Sequence, residues 1–224
     1  MTALRRPVTR LLEFALPPVC AGCGREGDAI CPGCLPSVGS RVALPTGTPL
    51  GFAEGPPDPL LQLEWCSPFA GTTRRALHAL KYQGERRLAA PLGSVVAERW
   101  RWAGAGGDVL VPVPVHEARR RERGFDQAAL ITAAAAEQLR LPWRAAVIRT
   151  RATTAQYHLD RRHRASNVAQ AFVVDPAAVT AIAGRWVILV DDVITTGATL
   201  CETARALLAG GAAAVSAITV ARER

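Results

Sequence analysis

The chain has 224 residues, of which 49% are hydrophobic and 21% charged, and it carries a formal net charge of +8. At roughly 150 residues per domain this is one substantial core plus a small appendage, with a hydrophobic fraction ordinary for a packed globular protein. No apolar run approaches the about 20 residues that a membrane helix needs, which excludes a helical membrane span and makes cytoplasm the default location.

Residues 4–19 combine Arg5 and Arg6 with a mildly apolar stretch. Glu13 interrupts it, Pro17 and Pro18 end it and no small-residue cleavage site follows, so it reads as a short amphipathic helix rather than a signal peptide. C-A-G-C and C-P-G-C then place Cys20, Cys23, Cys31 and Cys34 in two C-x-x-C pairs. Each pair offers two thiolates to one tetrahedral cation, with zinc the expected occupant. The alternatives are two disulfides, disfavoured without an export signal, or a redox role, for which two such turns are more than needed. A segment rich in Gly and Pro builds little apolar core, so a structural metal would supply its folding free energy. Cys66 and Cys201 stand apart, and burial in the core is the expectation for both.

Residues 45–59 are dense in Pro and Gly and read as a linker or mobile loop, with a domain boundary near their end that divides the chain into 1–60 and 61–224. Beyond it, strands and helices alternate as in a parallel sheet covered by helices. The pattern predicts a strand over 64–70, helices over 72–82 and 85–102, and a strand over 108–113 ending in V-P-V-P. An Ala-rich helix over 127–139, a strand over 145–150, a long polar loop and a strand over 171–174 follow. The last elements are a strand over 187–190, a helix over 199–209 and a strand over 214–220.

Residues 187–200, V-I-L-V-D-D-V-I-T-T-G-A-T-L, carry the most chemistry. The short β-branched run is expected of a strand covered on both faces. Asp191 and Asp192 stand at its carboxyl end, where open α/β sheets bind ligands. Thr195, Thr196, Gly197, Ala198 and Thr199 then turn into a helix whose first amides suit a phosphate. A plain strand, turn and Thr N-cap explains the turn but not the acids, which repel each other unless a cation or a hydroxyl-bearing ligand meets them. Paired carboxylates suit the vicinal hydroxyls of a ribose, directly or through Mg²⁺. No G-x-x-x-x-G-K-[ST] is present and no G-x-G-x-x-G follows a strand, which removes the main support for nucleoside triphosphate or dinucleotide sites.

This segment resembles the phosphoribosyl pyrophosphate signature of type I phosphoribosyltransferases. The resemblance extends to the ComF family through the four cysteines, L-K-Y-Q-G at 80–84, V-P-V-P at 111–114, R-E-R-G-F-D-Q at 121–127 and R-A-S-N-V-A-Q-A-F at 164–172. It implies an α/β fold, a type I phosphoribosyltransferase-like parallel sheet flanked by helices, behind a small N-terminal zinc-binding segment with four cysteine ligands. It also implies that Asp191 and Asp192 hold the ribose hydroxyls and that Thr195 to Thr199 hold the 5-phosphate. Related sequences often carry further cysteines where this chain reads L-P-T-G-T-P-L-G-F-A-E-G-P-P-D-P at 44–59, so four obvious ligands remain here.

Lys81 is the only lysine in the chain. The resemblance makes it a contact for the donor's phosphates or for the second substrate; a solvated cation at a helix end is the alternative. Arg119, Arg120, Arg121 and Arg123 precede Gly124 in the region that the resemblance gives to pyrophosphate, with Arg123 and Gly124 the first choices. Charge runs are usually solvated, so several of these arginines are expected to face water. The polar segment 153–167 matches the family's mobile hood, with Gln156, Arg161, Arg164 and Asn167 at recurrent positions; His158 and His163 read as bystanders.

The acceptor base or amine is not written in the sequence. A second reading, from the association of ComF-type proteins with natural competence, is an accessory protein that binds single-stranded DNA and partners a competence helicase or uptake machinery. Positive charge and arginine-rich segments support it, whereas aromatics for base stacking are sparse, with Tyr157 and Phe125 beside the clusters.

Overall fold

The structure, a computed structural model, describes residues 17–45, 51–52, 55–150 and 171–223. After a short helix α1 (Leu35–Val38) come β1 (Leu63–Pro68), α2 (Gly71–Tyr82), α3 (Ala89–Trp102) and β2 (Val109–Pro112). Then follow α4 (Glu117–Arg123), α5 (Gln127–Leu139), β3 (Val147–Arg149), β4 (Phe172–Val174) and α6 (Val179–Ile182). β5 (Trp186–Ile194), α7 (Ala198–Ala209) and β6 (Ala214–Arg222) complete the described chain. No helix among the described residues is long and apolar enough to cross a membrane.

β1, β6, β5 and β2 form a parallel sheet in that order, with helices on both faces. The run 187–190 is fully buried because its side chains alternate between two cores. Ile188 and Val190 join Leu77, Leu80, Leu92 and Ile131 on the α2, α3 and α5 face. Val187 and Leu189 join Leu200, Ala204 and Leu207 on the α7 face. Cys66 and Cys201 are buried, as expected.

The structure adds to or departs from the sequence pattern in three places. The segments 145–150 and 171–174 do contribute strands, but β3 and β4 pair antiparallel with each other and stand outside the parallel sheet. Alternation of strands and helices does not specify which strands become partners. The arginine run after β2 is the helix α4, capped at its start by His116 Nδ1, which accepts from the Ala118 amide, and ended by Gly124 in the left-handed region at φ 75°. The end of the proline-rich stretch has contacts on α7: Pro57 lies against Gly197 and Asp58 O accepts from Arg205 Nη2 at 3.2 Å.

The segment before β1 is bolted to the sheet's edge by one buried cation. Arg99 of α3, 1% exposed, donates from Nε and Nη2 to Glu64 Oε2 at 2.9 and 2.7 Å. Its Nη1 donates to the carbonyls of Arg41, Val42 and Leu44, and the Arg41 amide donates to Cys66 O on β1. Ile30, Val38 and Val42 thereby enter the core beside Leu77 and Leu92. Replacing Arg99 by Met leaves Glu64 buried without its cation and is expected to cost about 3–5 kcal/mol. Chemical denaturation measures this loss, and the double variant Arg99→Met/Glu64→Gln is expected to recover part of it.

Candidate functional site

β2 and β5 differ in length at the carboxyl edge of the sheet. β2 ends at Pro112 opposite Val190, in a sequence whose prolines carry no ladder donor, and its last tie is the Val113 amide to Val190 O. β5 instead runs on against β6, with Asp191 opposite Thr219 and Ile194 opposite Arg222. The two carboxylates therefore lie within the strand, at the first positions where its β2 side is uncovered, rather than beyond its end.

Asp192 is 5% exposed. Its Oδ2 receives Lys81 Nζ from the last turn of α2 at 2.5 Å and Gln127 Nε2 from the first turn of α5 at 3.3 Å. Gln127 Oε1 in turn accepts from Arg123 Nη1 at 3.0 Å. Asp126, the N-cap of α5, accepts from the amides of Ala129 and Val115 and so fixes that helix start to the chain leaving β2. Asp191 Oδ1 accepts from the Asp192 amide at 2.8 Å. Burial, followed by the charge of Asp192, holds the Asp191 carboxyl well above the usual carboxylate range.

Both acids line a cavity of about 160 Å³ together with Lys81, Arg119, Arg123, Arg149 and Thr199. A second cavity of about 350 Å³ shares Lys81, Tyr82, Arg119 and Arg123 with it and adds Gly84, Glu122 and Phe125. Four cationic side chains face two carboxylates, so the cleft suits an anion that also offers hydroxyls. α4 sorts its arginines: Arg119 and Arg123, four residues apart, face the cavities, while Arg120 and Arg121 pair with Glu117 on the exposed side.

Thr195 and Thr196 are exposed, and Gly197 is the N-cap of α7 at φ 82°, a conformation that favours glycine. Ala198 begins α7 and Thr199 reaches the cavity of the acids. Lys81, Arg123 and the acids thus converge, while Gly124 serves as the α4 cap. Gln156, Arg161, Arg164, Asn167, His158 and His163 lie outside the described residues. Gln127, Arg119 and Arg149 were not singled out by sequence reasoning as individual site residues. Gln127 closes the R-E-R-G-F-D-Q motif four residues after Arg123, which is the one signal that points to it. Arg149 sits in a strand with no motif around it.

The four N-terminal cysteines form a cluster whose sulfurs all lie within 4.8 Å of one another, with Cys23 Sγ 3.7 Å from Cys31 Sγ. Tetrahedral zinc with bonds of about 2.3 Å places sulfurs about 3.8 Å apart, so the cluster is compatible with a structural zinc. Burial acts to raise the Cys20 thiol, but the amides of Cys31, Cys23 and Gly22 outweigh it and bring it down to about 6. Cys34 is pushed up to about 12 by the Cys31 sulfur, then by burial and the Cys20 sulfur. A thiolate at Cys34 therefore needs a cation beside it. Gly22 has no room for a side chain, since a Cβ there would meet Cys34 Sγ at 2.5 Å. Arg75 of α2 clamps the cluster by donating from Nε to Ala21 O at 2.8 Å and from Nη2 to Gly22 O at 2.9 Å. The full chain is expected to carry about one zinc per molecule by elemental analysis, and Cys34→Ser to lose it. Its thermal midpoint is expected to fall in parallel, because α2 loses its anchor.

A family model described as a phosphoribosyl transferase domain matches residues 128–224. DNA utilization protein YhgH of Escherichia coli (strain K12) is 33% identical over 204 residues, covering 88% of this chain and 86% of that protein. Competence protein ComFC of Bacillus subtilis (strain 168) is 37% identical over 115 residues, 51% of this chain and 44% of that one. Among solved structures, glutamine phosphoribosylpyrophosphate amidotransferase from B. subtilis matches 59% of this chain and 26% of its own, at 20% identity and a TM-score of 0.41. That last likeness is too distant to bear on chemistry. The identity to YhgH spans nearly the whole length, and with the parallel sheet and the four-cysteine cluster ahead of it, the chain belongs to the ComF family.

Proposed function

We propose that this protein binds phosphoribosyl pyrophosphate with Mg²⁺ and transfers the phosphoribosyl group to a base or amine. The observation that carries this reading is the lining of one cavity by Asp191, Asp192, Thr199 and four cations, beside a helix start opened by a left-handed glycine. Asp191 is the acid left to a ligand, because Asp192 already has Lys81 and Gln127. Ribose hydroxyls relieve the charge that burial and Asp192 disfavour. The carboxylate oxygens are hard donors that fit Mg²⁺, which when bound helps to neutralise the pyrophosphate. The first amides of α7 and the Thr199 hydroxyl anchor the 5-phosphate. Arg119, Arg123 and Arg149 face the pyrophosphate.

The reaction breaks the bond between the anomeric carbon and the pyrophosphate oxygen, and the electron pair leaves with pyrophosphate. The acceptor nitrogen's lone pair forms the new bond, and its proton passes to solvent or to the departing pyrophosphate. Positive charge builds on the ring meanwhile, so fixed charges and positioning do most of the work. Gln156, Arg161 and Arg164 belong to the segment proposed to close over the donor and exclude water.

Asp191→Ala/Asp192→Ala is expected to weaken donor binding at least about 100-fold, since each charged hydrogen bond contributes roughly 1.5–3 kcal/mol. Calorimetry on the folded variant measures this, with circular dichroism as the control for fold; unchanged affinity overturns the donor site.

The names of the relatives, DNA utilization and competence proteins, favour a second reading as a single-stranded DNA-binding accessory of uptake, acting with a helicase or other uptake components. The net charge of +8 fits phosphate contacts. Oligonucleotide affinity is expected to fall steeply with salt. Competition by donor plus Mg²⁺ would put both ligands in one cleft, and its absence would separate them.

A further inference from the structure

Gln127 is the one side chain among the described residues that touches both Asp192 and the Arg123 guanidinium. It is 5% exposed, and its backbone is held at the start of α5 by the Asp126 cap. Its amide orientation is dictated by its neighbours: a carboxylate only accepts and a guanidinium only donates. Nε2 therefore faces Asp192 and Oε1 faces Arg123. No other side chain of this length serves both. A carboxylate would repel Asp192, and an ammonium would repel Arg123. Being neutral, the amide links the Asp192–Lys81 ion pair to the Arg123 guanidinium without itself cancelling either charge.

We infer that Gln127 is a positioning residue that couples the two halves of the donor site, so that pyrophosphate on Arg123 improves the binding of ribose phosphate at Asp191 and Asp192. This rests on the donor-site reading above. Pyrophosphate drawn toward Arg123 orders the guanidinium that Gln127 Oε1 accepts from, and the same amide orders the Asp192 carboxylate. The second ligand then meets Asp191 beside an Asp192 held from both sides, by the Lys81 ammonium and by the ordered Gln127 amide, which is a positive coupling between the two sites.

Ribose 5-phosphate and magnesium pyrophosphate, the two halves of the donor, serve as probes on the full chain. Calorimetry gives the affinity of each alone and of each in the presence of the other. The wild type is expected to bind ribose 5-phosphate about 5–20-fold more tightly with pyrophosphate present, at the lower end of measured couplings. Gln127→Leu is expected to bring that ratio to within about 2-fold of unity, whatever it does to the affinity of each probe alone. A merely structural role would weaken both probes and leave their ratio in place. Gln127→Glu, of nearly the same shape, serves if the leucine variant does not fold, and is expected to lose the coupling through repulsion of Asp192. Coupling that survives in the folded variant, or a wild type that binds both probes without coupling, overturns the inference. A wild type that binds neither probe overturns the donor site itself, and this inference with it.

Discussion

Two carboxylates side by side, at the point where a doubly covered strand loses its neighbour, are costly to hold, and the surrounding elements are arranged to offset that cost. Asp192 is neutralised by Lys81 and hydrogen-bonded by Gln127. Each of those partners has its own support. Lys81 ends α2, which Arg75 ties to the carbonyls of the cysteine cluster. Gln127 begins α5, whose cap reaches back to the chain leaving β2. The N-terminal cluster is thus mechanically connected to the acids, through a single helix.

The same cost explains why the chain's only lysine stands where it does. A primary ammonium on a flexible stem can approach one carboxylate oxygen and leave the other open, whereas a planar guanidinium favours bidentate capture of the whole group. Asp191, by contrast, accepts its hydrogen bond from a backbone amide. Asp192 is committed to side chains of α2 and α5, whereas the hydrogen bond of Asp191 comes from its own strand.

Around this centre the scaffold relies on a second buried charge. Arg99 lies far from the acids in role, yet it holds three carbonyls of the chain before β1 while paired with Glu64. A buried pair of this kind adds little net stability over an apolar replacement, but it specifies one docking of the N-terminal segment on the sheet edge. That docking brings the cysteine cluster to α2, and so bears on where Lys81 ends up.

Much of this was legible in the residues. The run 187–190, the acids, the glycine turn and the paired cysteines all declared themselves because their signals are local: period, adjacency and short spacing. The strand partners of 145–150 and 171–174, the helix within the arginine run and the packed end of the proline-rich stretch did not, because each depends on contacts between distant segments. By itself the sequence determined a covered strand carrying two adjacent acids and a glycine turn into a helix, since both follow from neighbouring residues. Only the tertiary structure decided that Lys81 and Gln127 meet Asp192, that Arg119 and Arg123 rather than Arg120 and Arg121 face the cleft, and that β5 outruns β2 to open it. These outcomes hang on helix phase and on where one edge strand stops, and neither is written at the residues they affect.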